Sequence, residues 1–395
     1  MPSHTPAAAS AGYQRGWRKH VFRSLAVMLS LTVAGGIAEL ALRAIGYSRS
    51  YVCPFGSFHQ GDPVLGWRGK PNFAGHWRQG DFDVFIAQTE NGFRRLDHGK
   101  DPEDVEGTVY ALGDSFVWGY GTSQGDNVAD QLNFLLPTQQ VENFGLGGAG
   151  TVQEYAIFEM HVQPRLRHGD TVLLFFYGND FGDNLGCRLE GSLHAEVRDG
   201  RIELVRPDPH RAPSKLVDRM KDCSYLFNLL AYCSDRLADV CRCSGMAGRS
   251  HAPGDAPSPA VISDSSPEVQ VTRCYLEKFK KACDEKHAQL LVAYIPGQAE
   301  LGEDDCSFTE DLSLPEQIGY RKAFFRCADQ LGIETIDLLP RMLAAKKAGR
   351  FDRLTFQHDF HWNKNAHLLA AETVSSVLAE KAETVARKAT GTLRH

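Results

Sequence analysis

The sequence predicts an α/β fold: a mostly parallel five-stranded sheet with helices on both faces, behind one N-terminal membrane helix. Three observations predict it. Five short apolar runs recur along the chain: TVYAL (108–112), QQVENF (139–144), TVLLFFY (171–177), LLVAYI (290–295) and ETIDLL (334–339). Helical patterns separate them, at about 127–135, 152–167, 267–286 and 315–331, and a last one follows Asn365. Strands that alternate with helices pair in parallel through right-handed crossovers, and the helices cover both faces of the sheet. Functional groups of such a sheet gather at the carboxyl ends of its strands.

The third observation is the start of the chain. Arg15, Arg18, Lys19 and Arg23 precede a run, 24–38, with no charged side chain. At ~1.5 Å per residue that run spans only ~22 Å of a hydrocarbon layer ~30 Å thick. Arg23 can snorkel, and Glu39 and Arg43 stand i, i+4 on one helix face, so 21–45 reads as one continuous helix. Tyr47 and Tyr51 then fall where interfacial aromatics are common. A cleaved signal peptide is the rival reading, with Gly36 and Ala38 at the cleavage spacing. The uncleaved anchor is preferred because the apolar pattern continues through Leu40, Ala41 and Leu42. On either reading the basic flank stays cytoplasmic and the bulk of the chain is exported, periplasmic or extracellular. A soluble cytoplasmic protein with an apolar first helix is the third option.

Composition bounds the rest. With 43% hydrophobic and 23% charged residues in 395, the chain has ample material for a packed core and is not a disordered tail. Its 43 basic and 49 acidic residues give a net charge of −6, which excludes a general basic surface and a nucleic-acid partner. The organisation expected is a basic flank and anchor (1–50), a β-rich lead-in with Gly, Pro and Asn turns (51–107), a main domain (108–380) with an insertion at about 185–266, and a flexible tail (381–395). Part of the insertion, SGMAGRSHAPGDAPSPAVISDSSPE, has linker composition. The ten cysteines form no framework. Cys223 and Cys233 lie ten residues apart on one helical stretch, ~15 Å, beyond disulfide reach. Cys241 and Cys243 lack the usual paired spacing of a zinc site.

Chemistry collects at strand ends. The first strand ends in GDSF, presenting the Ser115 hydroxyl in a Gly-flanked turn; the second ends in NFGLGG, where bare backbone N–H groups can face a ligand. Behind the third comes GND, with Asn179 at the same edge, and HDFHWNKNAH sets His361 in a loop before the last helix. Each alone is ordinary turn chemistry. Together they fall where a doubly wound sheet builds its site.

In this order the four blocks resemble the SGNH (GDSL-type) hydrolase superfamily, of the membrane-anchored bacterial type, over residues ~60 to ~380. The resemblance implies a flavodoxin-like three-layer sandwich and no cofactor or metal. It implies Ser115 as nucleophile and first oxyanion donor, Gly148 as second donor with Gly147 as its one-residue alternative, Asn179 as third donor and His361 as base. Many members carry Asp three residues before the His; here that position is His358, and the acid, Asp359, stands two before. In an extended segment i and i+2 share a face, so Asp359 is expected to hold the imidazole from one side. The segments Gly66 to Arg68 and Asn91 to Arg94, together with His367, also fit the anchored relatives, with His367 expected as a helix-face or core residue rather than a catalytic one.

A serine hydroxyl needs a base, and the base needs a partner that fixes its tautomer. The residues therefore predict acyl transfer through an acyl-serine: an ester hydrolase or an O-acyl transferase, with an ester or acylated cell-envelope glycan as substrate. The alternative is a non-catalytic glycan-binding or assembly subunit that keeps the fold. Phe116, Trp118, Tyr120, Tyr177 and Trp362 flank the blocks as a candidate stacking wall for a sugar ring, although aromatics beside strand ends are more often core.

Overall fold

The computed structural model describes residues 10–392 apart from 48, 52–56, 102, 104, 187–190, 208–214, 247–261 and 304–311. Helix α1 (Ser10–Ala44) leads into the short strands β1 (Ser50–Tyr51), β2 (His59–Asp62), β3 (Gly66–Gly69), β4 (Ala74–Gln79) and β5 (Phe82–Ala87). There follow β6 (Gly107–Gly113), α2 (Ser115–Trp118), α3 (Val128–Leu135), β7 (Gln139–Gly145), α4 (Thr151–Ile157), β8 (Thr171–Phe176) and α5 (Asp180–Asp183). A hairpin, β9 (His194–Arg198) and β10 (Arg201–Val205), precedes α6 (Lys215–Cys223) and α7 (Tyr225–Met246). The chain closes with α8 (Pro267–Glu285), β11 (Gln289–Tyr294), α9 (Leu314–Gln330), β12 (Glu334–Asp337), α10 (Leu339–Lys347) and α11 (Lys364–Thr392).

All five expected runs pair in one parallel sheet, in the order β7-β6-β8-β11-β12. Numbered among themselves these strands run 2-1-3-4-5, the flavodoxin-like order, with its switch point between the first and third. Ser115 stands just beyond β6 and Asn179 just beyond β8, so the chain delivers both to that crevice. The central strand β8 is buried along its whole length, and its residues alternate between two cores. Val172, Leu174 and Phe176 face one core with α4, α8 and α9; Leu173 and Phe175 face the other with α3 and α11. Burying each Leu or Phe contributes about 1.5–3 kcal/mol, and this two-sided burial makes the strand a continuous apolar run rather than an alternating one. A third, aromatic cluster joins the lead-in to the sheet: Tyr51, Phe58, Phe73 and Trp77 pack with Trp118 of α2.

Several elements differ from expectation. The run ETIDLL is strand only to Asp337; Pro340 sits in the first turn of α10, where its missing N–H costs nothing, and the Asp337 carboxylate accepts the Leu339 N–H at 3.2 Å. The hairpin β9–β10 turns on Asp199 and Gly200, both at positive φ (49° and 72°), the Asp-Gly signature of a tight hairpin turn. Helix 152–167 is α-helical only to Ile157 and continues as a π-turn, Phe158–Val162. Helix α11 runs on to Thr392, through residues expected as a tail. Cys223, Cys233, Cys274, Cys283 and Cys327 are free thiols. The side chains of Cys241 and Cys243, and most of the linker-like stretch, lie outside the described residues.

Candidate active site

Ser115 opens a four-residue helix that the sequence builds tightly. Asp114 caps it, its carboxylate accepting the Phe116 N–H at 2.9 Å, and Gly119 ends it in the left-handed conformation (φ 85°). At the end of β7, Gly145 runs so close beneath this helix that a Cβ there would sit 2.2 Å from the Trp118 nitrogen, a contact only glycine permits. Asn143 completes the seat, donating to the Val117 carbonyl at 2.8 Å. The turn that carries Ser115 is thus seated on β7, and the Ser115 Oγ lies 2.7 Å from His361 Nε2.

His361 arrives from the far end of the sequence. Its other ring nitrogen, Nδ1, lies 2.5 Å from the Asp359 carboxylate, and the same carboxylate oxygen accepts the His361 backbone N–H at 2.9 Å. The geometry differs from the extended segment expected: it is an Asx-type turn, in which a carboxylate accepts the N–H two residues on. Moving the acid to two before the histidine is what allows one oxygen to hold both the ring and its backbone. Burial works to raise the Asp359 pKa, but His361 and the Tyr120 hydroxyl hold it below the ordinary value. With an ionised carboxylate as acceptor, Nδ1 carries the proton and Nε2 offers a lone pair to the serine.

The loop is fixed by groups that motif reading did not single out. Asp81, in the turn between β4 and β5, accepts the His358 N–H at 2.7 Å and lies 2.7 Å from the His358 ring. The position vacated by the acid is therefore used to dock the loop on the lead-in. The buried carboxylate of Glu303 accepts the backbone N–H groups of Leu354 and Thr355, and Phe356 N–H donates to the His361 carbonyl at 3.0 Å. The Tyr120 ring stacks on the imidazole at 3.8 Å, and Phe360 lies 4.2 Å from it. Tyr120 belongs to a loop organised by fully buried Arg94, which donates to the carbonyls of Gly119 (3.2 Å) and Thr122 (2.6 Å) and to Gln124. Burial pulls the Arg94 pKa down to about 10. The segment Asn91 to Arg94 thus supplies the residue that anchors the Tyr120 loop, a target nothing local in the sequence reveals.

Gly148 lies beyond the end of β7 with φ 74°, half-buried, and Gly147 lends its carbonyl to the Trp67 indole at 2.9 Å. Asn179 stands at the N-cap of α5, is 7% exposed, and its side-chain oxygen has no hydrogen-bond partner among the described residues. Both residues follow strands that flank β6, the strand that carries Ser115. Of the five flanking aromatics, Phe116, Trp118, Tyr177 and Trp362 are core residues at 2% exposure or less, which corrects the stacking wall to one half-buried ring, Tyr120. His367 is buried and accepts the Val128 N–H at 3.2 Å. Burial, with Arg94 nearby, pulls its pKa down to about 3, so it is neutral and caps α3.

Behind the site lie the carboxyl groups of Asp114, Glu154, Asp180 and Asp183, all buried. Neither Glu154 oxygen has a hydrogen-bond partner among the described residues. Burial, together with repulsion from Asp114 and Asp183, raises the Glu154 pKa well above the ordinary value, and Asp180 is raised by burial and by Glu154. Among the described residues no group of three or more His, Cys, Asp or Glu is arranged to hold a metal. A carboxyl with a raised folded-state pKa contributes stability that is full below its unfolded value, about 4.5 for glutamate, and fades as pH climbs toward the folded value. Glu154→Gln is therefore expected to be more stable than the parent at pH 8, by roughly 2–4 °C in Tm for each kcal/mol relieved, and to lose part of the decline between pH 5 and 8. Parallel Tm-versus-pH curves for the two proteins would contradict this.

Residues 260–394 match the family described as an SGNH hydrolase-like domain, acetyltransferase AlgX. No curated protein matches the chain. Similar solved structures include a member of the lipolytic G-D-S-L family from Veillonella parvula (12% identity, 69% of this chain and 98% of that one, TM-score 0.38). An acetyl xylan esterase is similar to the same degree (12% identity, 68% of this chain and 98% of that one, TM-score 0.37).

Proposed function

We propose that this chain, a member of the SGNH superfamily, transfers an acyl group out of an ester through an acyl-serine on Ser115. One observation carries the reading: a hydroxyl, an imidazole and a carboxylate in hydrogen-bonded sequence, Ser115 to His361 to Asp359, at 2.7 and 2.5 Å. His361 Nε2 takes the Ser115 proton as Oγ attacks the ester carbonyl, and Asp359 stabilises the imidazolium that forms. Charge on the carbonyl oxygen is met by the N–H groups of Ser115 and Gly148 and by the Asn179 amide, each such donor worth about 2.7–4 kcal/mol of barrier. The imidazolium returns its proton to the departing alcohol, leaving the acyl group on Ser115. Water or a sugar hydroxyl then attacks that ester, giving hydrolysis or transfer.

The substrate class we assign is the O-acetyl group of a cell-envelope glycan. Supporting this are the acetyltransferase named in the matching family description and the start of the chain. Helix α1 is long and apolar enough over Lys19–Ala44 to cross a membrane, and Arg15 and Arg18 precede that span, an arrangement that supports a site on the outer face. A serine-directed fluorophosphonate is expected to label the protein, and to fail on Ser115→Ala and His361→Ala. Acetyl release from a chromogenic ester, measured with and without a glycan acceptor, separates transfer from hydrolysis by where the acetyl group ends. Tight glycan binding with no labelling and no turnover would instead indicate a binding subunit.

A further inference from the structure

Helices α6 and α7 carry apolar side chains that the described protein leaves uncovered: Leu216, Val217 and Met220 on α6, Leu230 and Leu237 on α7, between 42% and 69% exposed. Residues 216, 217 and 220 share one face of α6, and 230 and 237 lie two turns apart on one face of α7. Exposed Arg219 stands among the apolar residues of α6. An amphipathic helix of this kind fits the boundary between water and lipid.

The position of the pair is set by α1. The Glu39 carboxylate accepts the N–H groups that start α7, Tyr225 at 3.1 Å and Leu226 at 2.8 Å, and the Ser224 hydroxyl at 3.0 Å. Arg43 donates to Glu39 at 2.7 Å and to the Cys223 carbonyl at 3.1 Å, and its guanidinium lies 4.6 Å over the Tyr225 ring. Along α1 only one face is partly covered near here, at Gly35, Ala38, Glu39 and Leu42. From Lys19 to Glu39 the helix climbs about 30 Å, the thickness of a bilayer's hydrocarbon layer. When Lys19 sits at one interface, Glu39 and the α6–α7 junction sit at the other.

We propose that α6 and α7 lie on the outer phospholipid surface of the same bilayer that α1 crosses, with Leu216, Val217, Met220, Leu230 and Leu237 dipping into it. The proposal rests on the anchor reading of α1. The contact would fix the height of the active site. Asp222, at the end of α6, accepts from Lys70 Nζ at 2.8 Å and from the Tyr51 hydroxyl at 3.1 Å, and Asn228 of α7 accepts the Ser50 N–H at 2.9 Å. The lead-in so held reaches the catalytic loop through Asp81 and His358. Membrane surface, α6–α7, lead-in and His361 loop form one connected support, which would place Ser115 at a set distance from the lipid, where an extracytoplasmic polymer would meet it.

The full chain, reconstituted in phosphatidylethanolamine–phosphatidylglycerol vesicles, can be photolabelled with a bilayer-partitioned aryl diazirine and mapped by mass spectrometry. Label is expected on α1 and on the peptides carrying Leu216, Val217, Met220, Leu230 and Leu237. Combined Leu216→Glu, Met220→Glu and Leu230→Glu should remove it from α6–α7 several-fold while α1 keeps it. Label confined to α1 overturns the proposal and leaves the anchor standing, and a doubled mass with that pattern assigns the apolar face to a second copy. No label on α1 overturns both. The wild-type map decides these outcomes even where the triple variant fails to fold.

Discussion

Ser115→Ala is expected to lower turnover of an acetyl ester by about 10^4-fold or more, on the order of 5.5 kcal/mol in barrier height, while leaving the melting temperature nearly unchanged. The separation follows from how the residue is held. Everything that positions Ser115 is backbone or belongs to neighbours: the Asp114 cap, the left-handed Gly119, the Gly145 contact and the Asn143 bond to Val117. Among the described residues its Oγ has one partner, His361 Nε2. Deleting the oxygen therefore removes the nucleophile and leaves the seat intact. Residual turnover should persist, because a preorganised set of oxyanion donors accelerates attack by water without the serine. Retention of more than a tenth of the parent rate would assign the chemistry to another group.

The same construction explains what was legible in the sequence. The sheet could be read from its most buried strand outward: β8, buried on both faces along its whole length, shows as TVLLFF without any need of tertiary knowledge. The places of Ser115, Gly148, Asn179 and His361 in the fold could be read because each stands in a short turn-forming block that follows a strand or precedes a helix. Asp81, Glu303 and Arg94 could not. Their partners lie 277, 51 and 25 to 30 residues away, and nothing local distinguishes a carboxylate that will meet His358 from one that will face water. The Asx turn at Asp359 lay between these cases: the residue pair was visible, but an extended strand and a turn both bring i and i+2 together, and only the path of the Thr355 to Trp362 loop chooses. Helix α10 was hidden because the run ETIDLL carries on past the strand through Leu338 and Leu339, and Pro340 alone marks where strand gives way to helix. The buried acids behind the site were present as letters, in GDS and GND, but their convergence with Glu154 is a property of the packed sheet.

Asp359→Asn is expected to reduce kcat/KM by roughly 10^4-fold with His361 still in place. The asparagine matches the carboxylate in shape, and its oxygen can still accept the His361 backbone N–H, so the loop should keep its path and fluorescence-monitored melting should change little. Two things are lost. The negative charge that stabilises the imidazolium disappears, and the bond that fixes the Nδ1–H tautomer falls from a charge-assisted to a neutral one, so less of the imidazole presents Nε2 as a base to Ser115. Asp359→Glu should not rescue, because one more methylene displaces the single oxygen that meets both the ring and the backbone N–H of His361. The pH profile separates orientation from simple damage. The Asp359 pKa lies below the ordinary aspartate value, so the parent should show no loss from Asp359 above about pH 4. Asp81→Asn is the matched control: it removes a carboxylate from the same loop, but from His358 rather than His361. A large loss in Asp81→Asn with little in Asp359→Asn would move the orienting acid to Asp81, and the Asx turn would then be a loop stabiliser with no part in proton transfer.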